Sequence, residues 1–251
     1  MKSNQVQLFI TCLPDTFRPA IGEAVVNILS RVGVSVTFPE GQTCCGQPAF
    51  NAGMRTQARK MALHTICIFE RDSSPIVLPS GSCATMLRHG YLELFSDDAK
   101  WLPRAQAIAE RTYEFTEYLV DVLGVTDLGA SFPGPVTYHP SCHLSRSLGV
   151  DRQPRLLLSH VRDANSGDGR PLDVRELPHQ EDCCGFGGVF SVEHPEISAE
   201  MLKRKIDNIE ASGASTVVTA DTGCLLHISG GLHRQGKALK VVHIAEILAT
   251  F

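Results

Sequence analysis

The doublet Cys44-Cys45-Gly46 recurs as Cys183-Cys184-Gly185, and the residues around it recur as well. A lone cysteine precedes each doublet, Cys12 in TCLP and Cys142 in SCHL. Another follows each, Cys83 in SGSC and Cys224 in DTGC. Pro39 and Pro178 stand at the same distance ahead of their doublets, and the intervals between the other landmarks match closely. FTEYLVDVLG, starting at Phe115, resembles IAEILATF, starting at Ile244. One doublet arises easily by chance; two with matched flanks point to duplication of a whole unit. The boundary is placed in GASFPGP, near Gly129–Pro135, where glycine and proline suit a linker. That gives halves of residues 1–130 and 131–251.

Each half alternates two hydrophobic periods. VQLFIT, VSVTF and PIVLP in the first half, and PVTYH, LDVREL, STVVTA and LKVVHI in the second, are short runs rich in branched residues that read as strands. IGEAVVNILSRVG, MRTQARKMALHTICIFERD and EISAEMLKRKIDNIEASG carry apolar residues at helical spacing, the last ended by Gly213. Strand–helix alternation implies parallel sheets covered by helices. The expected fold is therefore α/β, with two tandem repeats, each a small parallel sheet flanked by helices, related by pseudo-two-fold symmetry. In this arrangement every patterned cysteine lies just past the C-terminal end of a strand, the edge at which open parallel sheets bind ligands. Four cysteines distant in sequence then converge on one crevice in each half.

The chain has nine cysteines in 251 residues. An odd, clustered set in a chain with no long apolar segment reads as metal-binding or catalytic in a reducing, cytoplasmic setting. No stretch is long and apolar enough for a membrane span. Four thiolates select zinc or iron–sulfur clusters over hard cations. Structural zinc sites use close pairs on small knuckles, whereas these ligands are spread over whole strand–helix units and two of them are adjacent. Adjacent side chains in extended backbone diverge, so both face one centre only if the chain bends, which the following glycine permits. That arrangement suits a multinuclear cluster. The glycines of CCGFGG also offer backbone N–H groups to sulfur, in the second half above all.

These residues resemble the Cys-Cys-Gly cysteine-rich domain family. It includes the cluster-binding subunit of heterodisulfide reductase and the iron–sulfur subunits of glycolate and anaerobic glycerol-3-phosphate dehydrogenases. The likeness is closer to the lactate utilisation protein A family, through FPEGQTCCGQPAFNAG, PSGSC, TYHPSCH, LLSHV, CCGFGGVFSV and VVHIAEIL, and covers essentially the whole chain. The resemblance implies a component of a system oxidising L-lactate to pyruvate. It also implies two partners, a ferredoxin-type iron–sulfur protein and a further lactate-utilisation subunit. The broader family closes each half with C-x-x-C, but here Met86 and His227 stand at that position. The implied ligands are thus Cys12, Cys44, Cys45 and Cys83, and Cys142, Cys183, Cys184 and Cys224. Four per half suffice for one [4Fe–4S]-type cluster each. His227 is a secondary nitrogen candidate, because imidazole can replace thiolate on iron, and Met86 reads as core.

Other features take blander readings. Cys67, on a helix among Ile66, Ile68 and Phe69, reads as core packing. His179 reads as exposed, and Lys203, Arg204 and Lys205 as a solvated helix face. His139 and His143 flank Cys142 and are candidates for hydrogen bonding to the ligands or for proton transfer. Arg146 and Arg152 can hold a carboxylate but read as surface charges. A net charge of −4 gives no electrostatic case for nucleic acid. No dinucleotide fingerprint is present, so no NAD or flavin is expected on this chain. Removal of a hydride from lactate then calls for an acceptor on a partner, or for a substrate oxygen bound to cluster iron. A thiol–disulfide reductase and a zinc-stabilised scaffold are the competing functions.

Overall fold

The structure is a computed structural model, and it describes residues 4–251. Among the described residues, ten strands form three sheets. The first sheet has the order β2 (Ser35–Thr37), β1 (Gln5–Leu8), β3 (Ile76–Leu78), β4 (Thr112–Glu114), all parallel. β5 (Ser131–Phe132) and β7 (Arg162–Asp163) make a two-stranded parallel sheet. The third sheet has the order β8 (Val174–Arg175), β6 (Val136–His139), β9 (Thr216–Thr219), β10 (Lys240–His243), again all parallel. The topology of the first sheet recurs strand for strand in the third, as the duplicated motifs predict. The expected helices are also found, as Ala20–Arg31, Arg55–Phe69 and Pro195–Ala211. Gly213, at φ +67, follows the last of these one residue past its cap.

One local expectation needs correction, and one strand has no counterpart among the expected elements. The stretch predicted as a linker contains β5, and Ser131 N–H donates to the carbonyl of Thr250, so both ends of the second half are tied together. β4 has no visible signature in the sequence. It is only three residues long and ends on a charged one, which hides it from a two-residue hydrophobic period. Its counterpart is β10. Both strands end in a residue that caps the next short helix in a capping box, Glu114 with Glu117 and His243 with Glu246.

Period-two alternation divides the core. Val6, Leu8 and Val77 on one face of the first sheet join Val136, Tyr138 and Val218 of the third in one continuous cluster, with Phe115, Leu119, Ile244 and Leu248. The opposite faces have separate cores. Phe9, Ile76 and Leu78 pack with Ile66, Phe69, Tyr91 and Phe95, while Val217 packs with Leu202, Ile206, Leu225 and Ile228. The halves therefore share a core between them and are each closed by helices outside. Polar contacts cross the same boundary. Asp221 Oδ2 accepts from Ser82 N–H at 2.9 Å and from Ser80 Oγ at 3.3 Å, and Arg18 pairs with Glu246 at 3.1 Å.

Glu114 is fully buried. Its Oε2 accepts from the N–H groups of Thr116 and Glu117, but Oε1 has no partner. Burial pushes its carboxyl from the ordinary 4.5 up to about 8. Between these values the folded protein keeps a proton that the unfolded chain has lost, so this group's contribution to stability falls as pH rises through that window. Glu114→Gln keeps an acceptor for the cap and cannot ionise. Its urea midpoint, relative to wild type, should rise steadily from pH 5 to pH 8; a difference that stays constant across that range would refute this account.

Candidate functional site

The eight patterned cysteines sit at the C-terminal ends of the parallel strands. Cys12 opens the helix Cys12–Phe17 after β1, preceded by Thr11 at φ 68 and ψ 158. That conformation is costly for any side chain other than glycine and clusters at functional sites. Cys83 lies in the first turn of Gly81–Thr85, where Ser80 Oγ accepts its N–H. Cys224 holds the matching place in Thr222–Arg234, capped by Asp221. Gly46 and Gly185, both at φ +90, turn the chain sharply after each doublet. A Cβ at Gly46 would lie 3.2 Å from Met61 Cβ and 3.3 Å from the Ala58 carbonyl. At Gly185 it would lie 2.7 Å from the Ser198 carbonyl and 3.0 Å from Met201 Cβ. Glycine is thus required twice over, for its φ and for the closeness of the following helix.

The bend lets both members of each doublet reach sulfur. Cys45 Sγ lies 3.4 Å from Cys83 Sγ, and Cys184 Sγ lies 3.4 Å from Cys224 Sγ. Cys142 Sγ and Cys183 Sγ are 3.9 Å apart, and Cys12 and Cys44 form the matching pair of the first half. The first thiol of each doublet is the acidic one. Hydrogen bonds from Cys12, Cys45 and the Gly46 N–H hold Cys44 down at about 3. Cys142, Cys184 and the Gly185 N–H, 3.4 Å from sulfur, act in the same way on Cys183. Their proton-sharing partners Cys12 and Cys142 are pushed up, and Cys45 and Cys184 are raised by the neighbouring thiols and by burial. In each half the first thiol of the doublet is thus pulled below the ordinary thiol range by its neighbours. The second half gains no further amide-to-sulfur bond from its extra glycines among the described residues.

The two sets do not occupy separate crevices. All eight cysteines line one cavity of about 670 Å³ between the halves, with Pro48, His143, Phe186 and the loop Gly187–Val189 on its wall. This is the main departure from the expected arrangement, and it follows from the shared core, which turns the two sheet edges toward each other. The cysteine donors are wholly soft in each half, and the carboxylate on the cavity wall, Asp221, is engaged by Ser80, Ser82 and Gly223, which fits zinc or iron–sulfur centres. Metal binding there must displace the remaining thiol protons.

The secondary candidates separate clearly. Met86 is buried in the core, its sulfur against Gly90. His227 Nε2 meets Ser198 Oγ at 3.3 Å and its ring packs on Phe186. The imidazole grouped with buried sulfurs is instead His139. One of its nitrogens forms a group with the sulfurs of Cys184 and Cys224 in which all ligand atoms lie within 4.8 Å of one another. Burial pushes His139 down to about 3, far from the working pH a general base needs. His143 is half-buried on the cavity wall, its Nδ1 3.9 Å from Cys142 Sγ. His179 is exposed, as expected. Arg146 and Arg152 pair with Glu181 and Asp121 at the surface.

Two expectations fail. Cys67 is not sealed in the core but half-exposed, with the Arg104 guanidinium 3.4 Å from its sulfur. Lys205 is not solvated. It is fully buried while Lys203 and Arg204 are exposed. Helical geometry explains the difference, since residue 205 shares the inward stripe of Leu202, Ile206 and Ile209. The same periodicity is present in the sequence, masked by the two flanking charges.

The cysteine-rich domain family matches residues 6–88 and 136–229, one copy per half. The chain belongs to this family. It also belongs with the lactate utilization A proteins. It is 51% identical to lactate utilization protein A 1 of Bacillus cereus (strain AH820) over 244 residues, covering 97% of this chain and 98% of that one. The match to lactate utilization protein A of Bacillus thuringiensis (strain Al Hakam) has the same identity and coverage. Among solved structures, a putative Asp/Glu racemase from Yersinia pestis aligns over 98% of this chain and 96% of its own, at a TM-score of 0.36 and 10% identity.

The two bends differ in how tightly they are enclosed, and this gives an order of effects. A non-glycine residue in the left-handed region costs about 1–3 kcal/mol, and a Cβ would meet a backbone carbonyl at 2.7 Å at Gly185 against 3.3 Å at Gly46. Gly185→Ala should lower the thermal midpoint clearly more than Gly46→Ala. Equal midpoints, measured side by side on metal-free protein, would show that the approach of the Ser198 carbonyl does not decide the cost.

Proposed function

We propose that this protein is an iron–sulfur electron-transfer component of a system that oxidises L-lactate to pyruvate. The observation carrying the reading is the convergence of two all-thiol sets, each with an acidic first cysteine, on one cavity. The names of the similar proteins supply the lactate connection. Residues 1–130 and 131–251 are read as the two cluster-binding units, with one [4Fe–4S]-type centre each. Cys12, Cys44, Cys45 and Cys83 hold the first, and Cys142, Cys183, Cys184 and Cys224 the second.

Bound at these cysteines, such centres accept and release single electrons. The chain's own residues do the rest. Gly46 and Gly185 donate N–H groups that hold the first thiolates of the doublets in place. Phe186 and the apolar cavity wall border the sulfurs, of which those of Cys45, Cys83, Cys184 and Cys224 belong to buried residues. His143 is the wall residue placed to hold or pass a proton beside Cys142. The hydride acceptor is assigned to a partner subunit, with a ferredoxin-type protein as the electron-transfer partner.

A zinc scaffold is the second reading, and one observation favours it. Sulfur separations of 3.4 to 3.9 Å match the edge of a tetrahedral thiolate site, about 3.8 Å for metal–sulfur bonds near 2.3 Å. The size of the cavity beside the sulfurs favours a larger group.

Anaerobically purified protein should be brown and contain iron with acid-labile sulfide. Cys12→Ser and Cys142→Ser should each remove about half of both. Colourless protein carrying stoichiometric zinc after anaerobic preparation would overturn the reading.

A further inference from the structure

The two sulfur sites are built alike but surrounded differently. β1 pairs with β3 at Leu8 and Val77, and β6 pairs with β9 at Tyr138 and Val218. His139 therefore stands where the first half has Phe9, each at the same distance ahead of its ligand cysteine. The helices behind the doublets align as well. Ala58 and Met61 face Gly46 as Ser198 and Met201 face Gly185, which puts Lys205 at the position of Thr65. The first site thus has a phenyl ring and a hydroxyl behind it, where the second has an imidazole and an ammonium.

Neither second-half group is satisfied by the protein alone. His139 is 1% exposed, and neither ring nitrogen has a hydrogen-bond partner, although one is close to the sulfurs of Cys184 and Cys224. Lys205 is 0% exposed. Its Nζ donates to the carbonyls of His179 and Gln180 at 3.2 Å each, and no carboxylate pairs with it among the described residues. The acidic groups nearby do not cancel it. Asp182 is solvent-exposed, and Asp221 is engaged between the halves by Ser82 and Gly223. A buried, unpaired ammonium is costly. The thiols of Cys183, Cys184 and Cys224 act on it electrostatically, so an anionic centre bound there offsets that cost, and does so more strongly with each added electron.

We propose that the two centres differ in reduction potential. The one held by Cys142, Cys183, Cys184 and Cys224, beside His139 and Lys205, is the higher and takes electrons from the one held by Cys12, Cys44, Cys45 and Cys83. The proposal rests on the iron–sulfur reading above. Positive charge and nitrogen donors near a cluster raise its potential. With both centres bound, Cys12, Cys44, Cys45 and Cys83 would hold the donor of a single electron and Cys142, Cys183, Cys184 and Cys224 its acceptor, the first oxidised and the second reduced by one unit with no bond made or broken. Lys205 and His139 are positioning residues, acting on potential through the centre they adjoin.

The test is a redox titration of the anaerobically purified full chain, followed by electron paramagnetic resonance. Wild type should show two midpoints. Cys142→Ser should abolish the upper and Cys12→Ser the lower. Lys205→Thr and His139→Phe, each bringing the second site closer to the first, should lower the upper midpoint and leave the lower unchanged. Lys205→Arg, which keeps the charge, should restore it if Lys205→Thr proves unstable. Coincident midpoints in wild type with full iron content would overturn the proposal, as would an upper midpoint that Lys205→Thr leaves in place. A preparation without iron and sulfide would instead overturn the cluster reading on which it rests.

Discussion

One buried carboxylate sits where the two halves meet. Asp221 is 3% exposed and serves two helices at once. Its Oδ1 caps the helix that carries Cys224, through Gly223 N–H, and its Oδ2 accepts the first-turn N–H of Ser82 in the helix that carries Cys83. Ser80, the cap residue at the matching place in the first half, donates to the same carboxylate. A charge taken out of water must be met by such donors, so the two cysteine-bearing helix starts are held together in one relative position. The apolar cluster shared by both sheets fixes the same arrangement from below. The common cavity exists because these two constraints agree.

Within that frame, each cysteine set depends on a single backbone device. A glycine at φ +90 turns the doublet so that its first thiol meets the lone cysteine after the first strand of its half and its second meets the cysteine of the capped helix. The turn also brings an amide to the first sulfur. The first thiol of each doublet is pulled below the ordinary thiol range by its neighbours as a result. Duplication gives this device twice; divergence behind it, at Phe9 against His139 and Thr65 against Lys205, makes the two copies chemically distinct.

Much of this is legible in the residues. The repeated doublets, their flanking cysteines and the alternation of two- and four-residue hydrophobic periods specify duplicated parallel sheets with thiols at the strand ends. Short elements are less legible. β4 and β5 carry too few residues for a period to show, and Glu114 closes β4 with a carboxyl whose burial depends on neighbours far along the chain. Lys205 misleads because a run of three charges suggests water, while its place on the helical stripe assigns it to the interior. Cys67 misleads for the opposite reason, its apolar neighbours concealing an outward side chain next to Arg104.

The sequence by itself determined the local chemistry: which thiols form a set, where the chain must bend, and that the unit occurs twice. These depend on residue type and spacing, which are properties of the chain. Only the tertiary structure decided that the two sets face a single cavity. It also decided that His139, rather than His227, groups with the sulfurs of Cys184 and Cys224, and that Lys205 is buried. Those facts depend on how two sheets pack across a shared core, through contacts between residues more than a hundred positions apart, such as Ser82 with Asp221. No periodicity in the sequence carries such pairings, because they arise from the packing of whole faces and not from any one segment.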